Sequence, residues 1–173
     1  RLMAMAAYFG LCSFVDYQIG RVIDKLSKTG LDKETRVIYT SDHGDNVGAR
    51  GLWGKSNMYE EAVSIPLIIS GPDVPQGKVC QTPVSLLDSY QTILDGTGLK
   101  PTDEEQELKG KSWFEIATAS YDLDRIAFSE YHAVGSPSAA FMIRQGSFKL
   151  NYYVGYELEF FDLEKDPEET VNQ

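Results

Sequence analysis

The chain has 173 residues, of which 42% are hydrophobic and 24% are charged. This size and composition are typical of one globular domain that can bury its own core. Sixteen basic residues against twenty-six acidic ones give a formal net charge of −10, which argues against nucleic acid or an anionic membrane as a partner. We find no run of about eighteen apolar residues, so we predict no membrane-spanning segment.

The first predicted element is a long helix. Apolar residues between Leu11 and Leu26 recur three or four positions apart and form one stripe, and Gly30 then ends the helix. Residues 1–8 have no signal-peptide pattern and already belong to this helix, so we expect the chain to be a fragment cut from a longer protein.

A short strand and a polar loop follow. Residues 37–41, Val-Ile-Tyr-Thr-Ser, are brief, β-branched and closed by turn formers, which predicts a strand buried on both faces of a parallel sheet. Asp42 and His43 come directly after it, at the edge where α/β sheets gather ligands. Together they offer an oxygen and a nitrogen to a divalent cation, Gly44 permits a sharp turn, and Lys55 could return a positive charge to a bound anion.

From the spacing alone, simpler interpretations of the same residues stay open. Asp42 could be a turn residue or a helix cap, and His43 a surface histidine. Lys55 could be a solvated lysine of the glycine-rich loop. Asp45 and Asn46 are interpreted as residues that shape the loop or support the metal ligands.

The remaining pattern predicts an α/β region, residues 1–135, followed by a small antiparallel subdomain, residues 136–173. Further elements are predicted as a short helix over 57–62, a strand over 65–70, helices over 85–98 and 111–119, and a strand over 125–131. Ser85 is predicted to cap the helix that it begins. From Phe141 onward, short apolar runs separated by glycines predict antiparallel strands. The tyrosines and phenylalanines between Tyr152 and Phe161 are interpreted as the core of this subdomain.

Several motifs, in order along the chain, resemble the C-terminal half of sulfatases of the alkaline phosphatase superfamily. They are Ser-Asp-His-Gly-Asp at 41–45, Gly-Leu-Trp-Gly-Lys at 51–55, Tyr-Glu-Glu at 59–61, Ile-Pro-Leu-Ile at 65–68, Thr-Pro-Val-Ser-Leu-Leu-Asp at 82–88, Gln-Thr-Ile-Leu at 91–94 and Phe-Phe-Asp-Leu-Glu-Lys-Asp-Pro-Glu-Glu at 160–169. The resemblance covers nearly the whole chain. It implies part of an alkaline-phosphatase-like sandwich, a mostly parallel sheet with flanking helices, and the absence of the N-terminal half.

The resemblance also implies a chemistry. Asp42 and His43 occupy positions that bind one divalent metal ion, calcium or in some relatives manganese. Lys55 matches the lysine that contacts the sulfate ester and acts in catalysis. The metal and the ammonium would oppose negative charge on the transferring sulfuryl group.

The family's nucleophile is a formylglycine made in a C-x-P-x-R or S-x-P-x-R motif of the N-terminal half. Neither Cys12 nor Cys80 stands in such a motif. We therefore expect the chain alone to be inactive and the full-length protein to hydrolyse a small-molecule sulfate ester. A non-catalytic assembly module and a phosphonate or phosphate monoester hydrolase remain the alternatives.

Residues 129–132, Ser-Glu-Tyr-His, and 142–144, Met-Ile-Arg, are most similar to the choline-sulfatase branch. Glu130, Tyr131 and His132 are candidate substrate-binding residues, because a carboxylate and an aromatic ring suit a quaternary ammonium. A solvated edge cluster is the simpler interpretation of the same residues. Membership of this branch also implies a homo-oligomer.

Overall fold

The computed structural model describes all 173 residues as a mixed α/β structure. The four helices are α1 (Leu2–Lys28), α2 (Glu60–Val63), α3 (Asp88–Thr97) and α4 (Trp113–Thr118). The six strands are β1 (Val37–Thr40), β2 (Leu67–Ser70), β3 (Ile126–Tyr131), β4 (Ala140–Gln145), β5 (Phe148–Tyr153) and β6 (Glu159–Asp162). Short 3₁₀ turns lie at Leu31–Lys33, Ala49–Gly51 and Glu105–Glu107. The predicted α/β fold class is confirmed.

The strands form two sheets, a pair β1–β2 and a four-stranded sheet in the order β3-β4-β5-β6. Every pairing in both sheets is antiparallel. The strand β3 belongs to the four-stranded sheet, although it precedes the boundary predicted at residue 136. The antiparallel unit therefore begins earlier in the chain than the shift in composition indicated.

The prediction for β1 was wrong in two respects. Its neighbour β2 runs antiparallel to it, with Val37 opposite Ser70, and its two central residues are exposed by 37% at Ile38 and 40% at Tyr39. A short apolar run predicts a strand but does not encode the direction of its partner. Burial on both faces also requires covering layers, and helix α1, which packs mainly against the 3₁₀ turn at Leu31–Lys33, makes no extensive contact with β1.

Helix α1 has no buried residue and presents an apolar surface. By length and composition alone it could cross a membrane, with a mean hydropathy of 1.3 over eighteen residues, although the sequence has no unbroken run of eighteen apolar residues. The absence of a membrane-spanning segment stays a prediction. Core helices of soluble proteins and signal sequences can be equally long and apolar. The helix ends near the predicted glycine, because Gly30 adopts a left-handed φ of 75°.

The core that positions the polar loop is small. It consists of Met58, which follows the polar loop, and of Ala140 and Met142 on strand β4 of the four-stranded sheet. The amide of Met58 also donates to the hydroxyl of Tyr153 at 2.9 Å. This core connects the loop to β4 and β5.

Aromatic residues of the C-terminal strands divide between the two faces of the sheet. Phe161 is buried, whereas Tyr152 and Tyr156 are exposed. Only some of the aromatic residues that were predicted to form the core are therefore buried. The inward face of β5 instead carries the buried polar residues Lys149 and Asn151.

Helix α3 begins at Asp88 rather than at Ser85, because the side chain of Asp88 folds back into the turn that precedes it. Its carboxylate is fully buried and accepts from the amides of Ser85 and Lys111, both at 2.9 Å. Arg125 pairs with the same carboxylate at 2.5 Å. Asp88 therefore joins α3, the segment before α4 and the start of β3.

Replacing Asp88 with alanine should lower the free energy of unfolding by about 3–5 kcal/mol, because the partly buried Arg125 and two amides would lose their partner. Urea unfolding followed by circular dichroism measures this loss. The matched control is Asp103→Ala, an exposed aspartate that should change stability by less than about 0.5 kcal/mol. An equal effect of both substitutions would contradict the role of Asp88.

Acid should weaken the C-terminal tail. Hydrogen bonds from the amides of Thr170 and Val171, both at 2.8 Å, hold the pKa of Asp166 below its ordinary value. Since the folded-state pKa lies below the unfolded one, this stabilisation is present above the unfolded pKa and is lost as the pH falls through the folded pKa.

Asp166→Asn should therefore flatten the loss of stability that the protein shows below about pH 4. Urea midpoints measured across the acid range report this slope. Asp103→Asn is the control, since its carboxylate accepts no backbone hydrogen bond, and the assignment fails if the two variants keep the same slope as the unmodified protein.

Candidate functional site

The residues that follow β1 present two metal-ligand atoms at one point. Asp42 and His43 lie just beyond the end of the strand, with Asp42 Oδ2 and His43 Nε2 3.3 Å apart. His43 Nδ1 lies 2.8 Å from the carbonyl oxygen of Gly44. Because a carbonyl can only accept, Nδ1 of the neutral ring carries the proton and Nε2 keeps its lone pair. Two acceptors that face each other at this distance are suited to sharing a cation.

Gly44 is required for close packing rather than for an unusual turn. Its amide donates to Ala62 at 2.8 Å, and a Cβ atom at this position would lie 2.0 Å from the carbonyl oxygen of Glu61. Only glycine allows the loop to lie against α2 in this way. The contact attaches the Asp42-His43 pair to the helix.

Lys55 returns to this pair because the loop between residues 45 and 54 is closed by two side chains. Asp45 accepts from the amides of Val47 at 2.8 Å and Gly54 at 3.2 Å. Asn46 is buried and donates through both its amide, at 2.7 Å, and its side chain, at 2.6 Å, to the Gly54 carbonyl. Both residues therefore shape the loop, and the ammonium of Lys55 contacts Nε2 of His43.

The three side chains line one open cavity of about 550 Å³. Glu130 and Tyr131, at the end of β3, line the same cavity, together with Ser129. They reach it from the four-stranded sheet, which is separate from the β1–β2 pair. Five of the six predicted site residues are thus brought together.

His132 is the predicted site residue that does not line the cavity. Its ring packs edge-on against Phe141, and its Nε2 lies 3.3 Å from the Glu130 carboxylate. His132 follows the last residue of β3 and lies on the same side as Glu130, against Phe141, the cross-strand partner of Glu130. The hydroxyl of Tyr131 is already engaged, since it donates to Val134 at 2.7 Å and accepts from Ser56 at 3.3 Å.

The Asp42 carboxylate is favoured in its charged form. Desolvation raises its pKa, but the hydrogen bond from the His43 amide and the proximity of the His43 imidazole and the Lys55 ammonium outweigh this effect, so the pKa of Asp42 lies below its ordinary value. Its side chain is 80% exposed and open to the cavity. An ionised, accessible carboxylate is the form that a metal ion binds.

The chain supplies a partial metal-ligand set. Asp42 and His43 fit a divalent cation as one oxygen and one nitrogen ligand. No group of three or more His, Cys, Asp or Glu side chains in the chain could hold a metal ion by itself. A complete site would need ligands in addition to these two.

Sequence reasoning missed a set of charged residues beside this loop. Arg50 lies within it, Glu60 follows it, and both contact Glu169 from the C-terminal tail, which pairs with the buried Lys149. The buried lysine falls in a strand of otherwise apolar and aromatic residues, a weak signal that could have been recognised. The pairing across more than a hundred residues has no signal in one sequence.

Comparison with known proteins shows which family the chain resembles. The sulfatase family profile matches residues 3–99. A choline-sulfatase of Rhizobium meliloti (strain 1021) is 34% identical over 166 residues, which are 96% of this chain and 32% of that protein. The chain thus spans about a third of the length of the curated relatives that it matches.

Solved structures show the same fold. One protein, in complex with its substrate D-glucosamine-2-N,6-O-disulfate, superposes with a TM-score of 0.82 and 30% identity, over 91% of this chain and 33% of the other. A phosphonate monoester hydrolase from Silicibacter pomeroyi superposes with a TM-score of 0.73 and 31% identity, over 87% of this chain and 33% of the other. The profile match over more than half of the residues establishes that the chain belongs to the sulfatase family.

Proposed function

We propose that this chain forms one wall of the active site of a metal-dependent sulfuric ester hydrolase, within a longer protein that supplies the other walls. The observation that carries this proposal is the convergence of Asp42, His43 and Lys55 on one open cavity. The similarity to a choline-sulfatase and the family match support the reaction class.

The charges around the cavity favour a metal ion. Its charged lining side chains are Asp42, Glu130 and Lys55, so the wall carries one more negative charge than positive. This wall would repel a sulfate ester, which is an anion. A divalent cation bound by Asp42 and His43 would reverse the sign, and when bound it would supply Lewis-acid polarisation of a sulfate oxygen.

Each residue then has a distinct task. Asp42 would bind the cation with its exposed carboxylate, and His43 would offer Nε2 to it in place of the Lys55 ammonium that contacts this atom here, while Nδ1 donates to Gly44. Lys55 places an ammonium where negative charge develops on the departing oxygen. Asp45 and Asn46 maintain the loop that brings Lys55 to this position.

The nucleophile would come from outside this chain. Neither Cys12 nor Cys80 lines the cavity or stands in the motif that yields a formylglycine. We therefore propose that the isolated chain turns over no sulfate ester. Activity would belong to the longer protein, which would contain the modified residue and the remaining metal ligands. That longer protein would form a homo-oligomer.

Choline sulfate is the finer substrate proposal. The carboxylate of Glu130 lines the cavity and is half-exposed, so it could attract a quaternary ammonium on the leaving-group side. The relative from Rhizobium meliloti supports this assignment. The face of the Tyr131 ring would add a cation–π contact, and His132, whose Nε2 lies 3.3 Å from the Glu130 carboxylate, would orient that carboxylate.

Hydrolysis of a phosphonate monoester is the second candidate. The solved phosphonate monoester hydrolase at 31% identity favours it, because a tetrahedral phosphonate presents oxygens to a metal and a lysine in the same manner as a sulfate. Rates of the full-length protein on an aryl sulfate, choline sulfate and an aryl phosphonate monoester would rank the three substrates. A preference for the phosphonate would overturn the sulfatase assignment.

In the full-length protein, Asp42→Ala should reduce both bound metal and activity, whereas Lys55→Met should reduce kcat by about a hundredfold and leave the metal in place. The reason is that the carboxylate is a ligand and the ammonium is not. Metal content by mass spectrometry and steady-state kinetics on aryl sulfate measure the two effects.

The control for the lysine variant is Lys33→Met, an exposed lysine of the first 3₁₀ turn, which should leave kcat unchanged. Unaltered activity and metal content in Asp42→Ala would show that the carboxylate is no ligand. Full activity in Lys55→Met would remove the ammonium from the mechanism.

Glu130→Gln should raise KM for choline sulfate by about three- to tenfold while leaving KM for an uncharged aryl sulfate nearly unchanged, because only choline carries a cation for the carboxylate. Kinetics of the full-length protein on both substrates measure the ratio. The matched control is Glu157→Gln, an exposed glutamate of the β5–β6 connection. An equal rise for both substrates would contradict recognition of the ammonium.

A further inference from the structure

The C-terminal tail makes a tight turn that directs one carboxylate inward. The amide of Glu169 donates to the Asp166 carbonyl at 3.1 Å, and the Asp166 carboxylate accepts from the amides of Thr170 and Val171. Glu169 itself has a left-handed φ of 50°, which is unfavourable for a residue with a side chain. Such a conformation persists where surrounding contacts require it.

Those contacts join the tail to the chain on both sides of Lys55. Glu169 is buried, and its Oε2 accepts from the amide of Glu60 at 2.7 Å. The same oxygen lies 3.9 Å from the guanidinium of Arg50. Lys55 lies between these two residues in the chain, so one carboxylate contacts the loop on either side of it.

Lys149 balances the buried charge. Its ammonium is fully buried and lies 2.7 Å from Glu169 Oε1 and 2.9 Å from Glu60 Oε1. Arg144 pairs with the other oxygen of Glu60 at 3.2 Å. Burial raises the pKa of Glu169 and Lys149 opposes this rise, so the carboxylate depends on its partners for its charge.

Three contacts fix the side chain of Arg50. Its guanidinium pairs with Glu61 at 2.5 Å, stacks on the Tyr59 ring at 4.3 Å and donates to the backbone carbonyl of Glu168. The residue has a left-handed φ of 51°, as Glu169 does. Two strained residues that contact each other restrict the conformations of the loop.

We propose that Glu169, held by Lys149, is a positioning residue that fixes the segment from Arg50 to Glu60 and thereby directs the Lys55 ammonium towards His43. The C-terminal tail thus serves the catalytic lysine from the opposite side of the loop. The anchoring of the loop stands on the contacts alone, whereas its effect on turnover rests on the proposed hydrolase function.

Trypsin tests the anchoring without any assay of activity, because the loop contains its own cleavage site after Arg50. In the full-length protein, Glu169→Gln should raise the cleavage rate at the Arg50–Gly51 bond by about tenfold, since a locally opened segment is cut in proportion to its population. The matched control is Glu168→Gln, an exposed neighbour that contacts Arg50 through its backbone carbonyl and not through its carboxylate, and it should leave the rate unchanged.

Cleavage after the exposed Lys33 and Lys109 serves as an internal reference for general loosening. An equal acceleration at these bonds would overturn the local role of Glu169, as would an unchanged rate at Arg50. The double substitution Lys149→Met with Glu169→Leu replaces the buried ion pair by apolar groups of similar size, which proteins often tolerate. It should retain the fold and still accelerate cleavage after Arg50.

Kinetics test the effect on Lys55. Glu169→Gln should lower kcat on an aryl sulfate by about tenfold or more with KM changed less than about twofold, because a displaced ammonium acts mainly in the transition state. Faster cleavage with unchanged kcat would overturn the positioning of Lys55. If the unmodified protein hydrolyses no sulfate ester, the proposed function fails, while the cleavage rates still decide whether Glu169 anchors the loop.

Discussion

Closure of the loop between Asp45 and Gly54 is the constraint on which the candidate site depends. Two adjacent side chains accept from or donate to the backbone of Gly54, and this returns Lys55 to the end of β1. A free loop of this length would visit many conformations, and ordering it costs conformational entropy at every residue. The polar contacts, with the core at Met58 behind them, offset that cost.

The positive charges near the loop are paired with specific carboxylates, although the chain as a whole is negative. The chain carries a net charge of −10, yet the cations near the loop are paired with specific carboxylates: Arg50 with Glu61, Arg144 with Glu60, and Lys149 with Glu169. Lys55 is the ammonium left beside the Asp42-His43 pair. Under the proposed function, an anionic sulfate ester would be attracted by Lys55 together with a bound metal ion, because the cavity wall alone is net negative.

The inward face of β5 shows how the antiparallel sheet serves the loop. A strand with one buried face normally directs apolar residues inward, whereas β5 directs Lys149 and Asn151 inward. A buried ammonium is acceptable only beside carboxylates, and Glu60 and Glu169 provide them. The sheet thereby links the C-terminal tail to the start of α2.

The sequence by itself determined which residues could do chemistry. A β-branched run followed by Asp42 and His43, and a glycine-rich segment ending in Lys55, identified the strand, the loop and its candidate ligands. The family motifs added the reaction class. Helices α1, α3 and α4 were recognised from periodicity, although α3 begins later than Ser85 because Asp88 folds back to cap the turn.

Only the tertiary structure decided which of these residues meet. The antiparallel pairing of β1 and β2, the arrival of Glu130 and Tyr131 from another sheet, and the contacts of Glu169 with Arg50 and Glu60 join positions far apart in the chain. Local patterns record whether a residue prefers a strand, a turn or water. They carry no information on which distant partner will neutralise a buried charge, because that choice is made by packing of the complete fold.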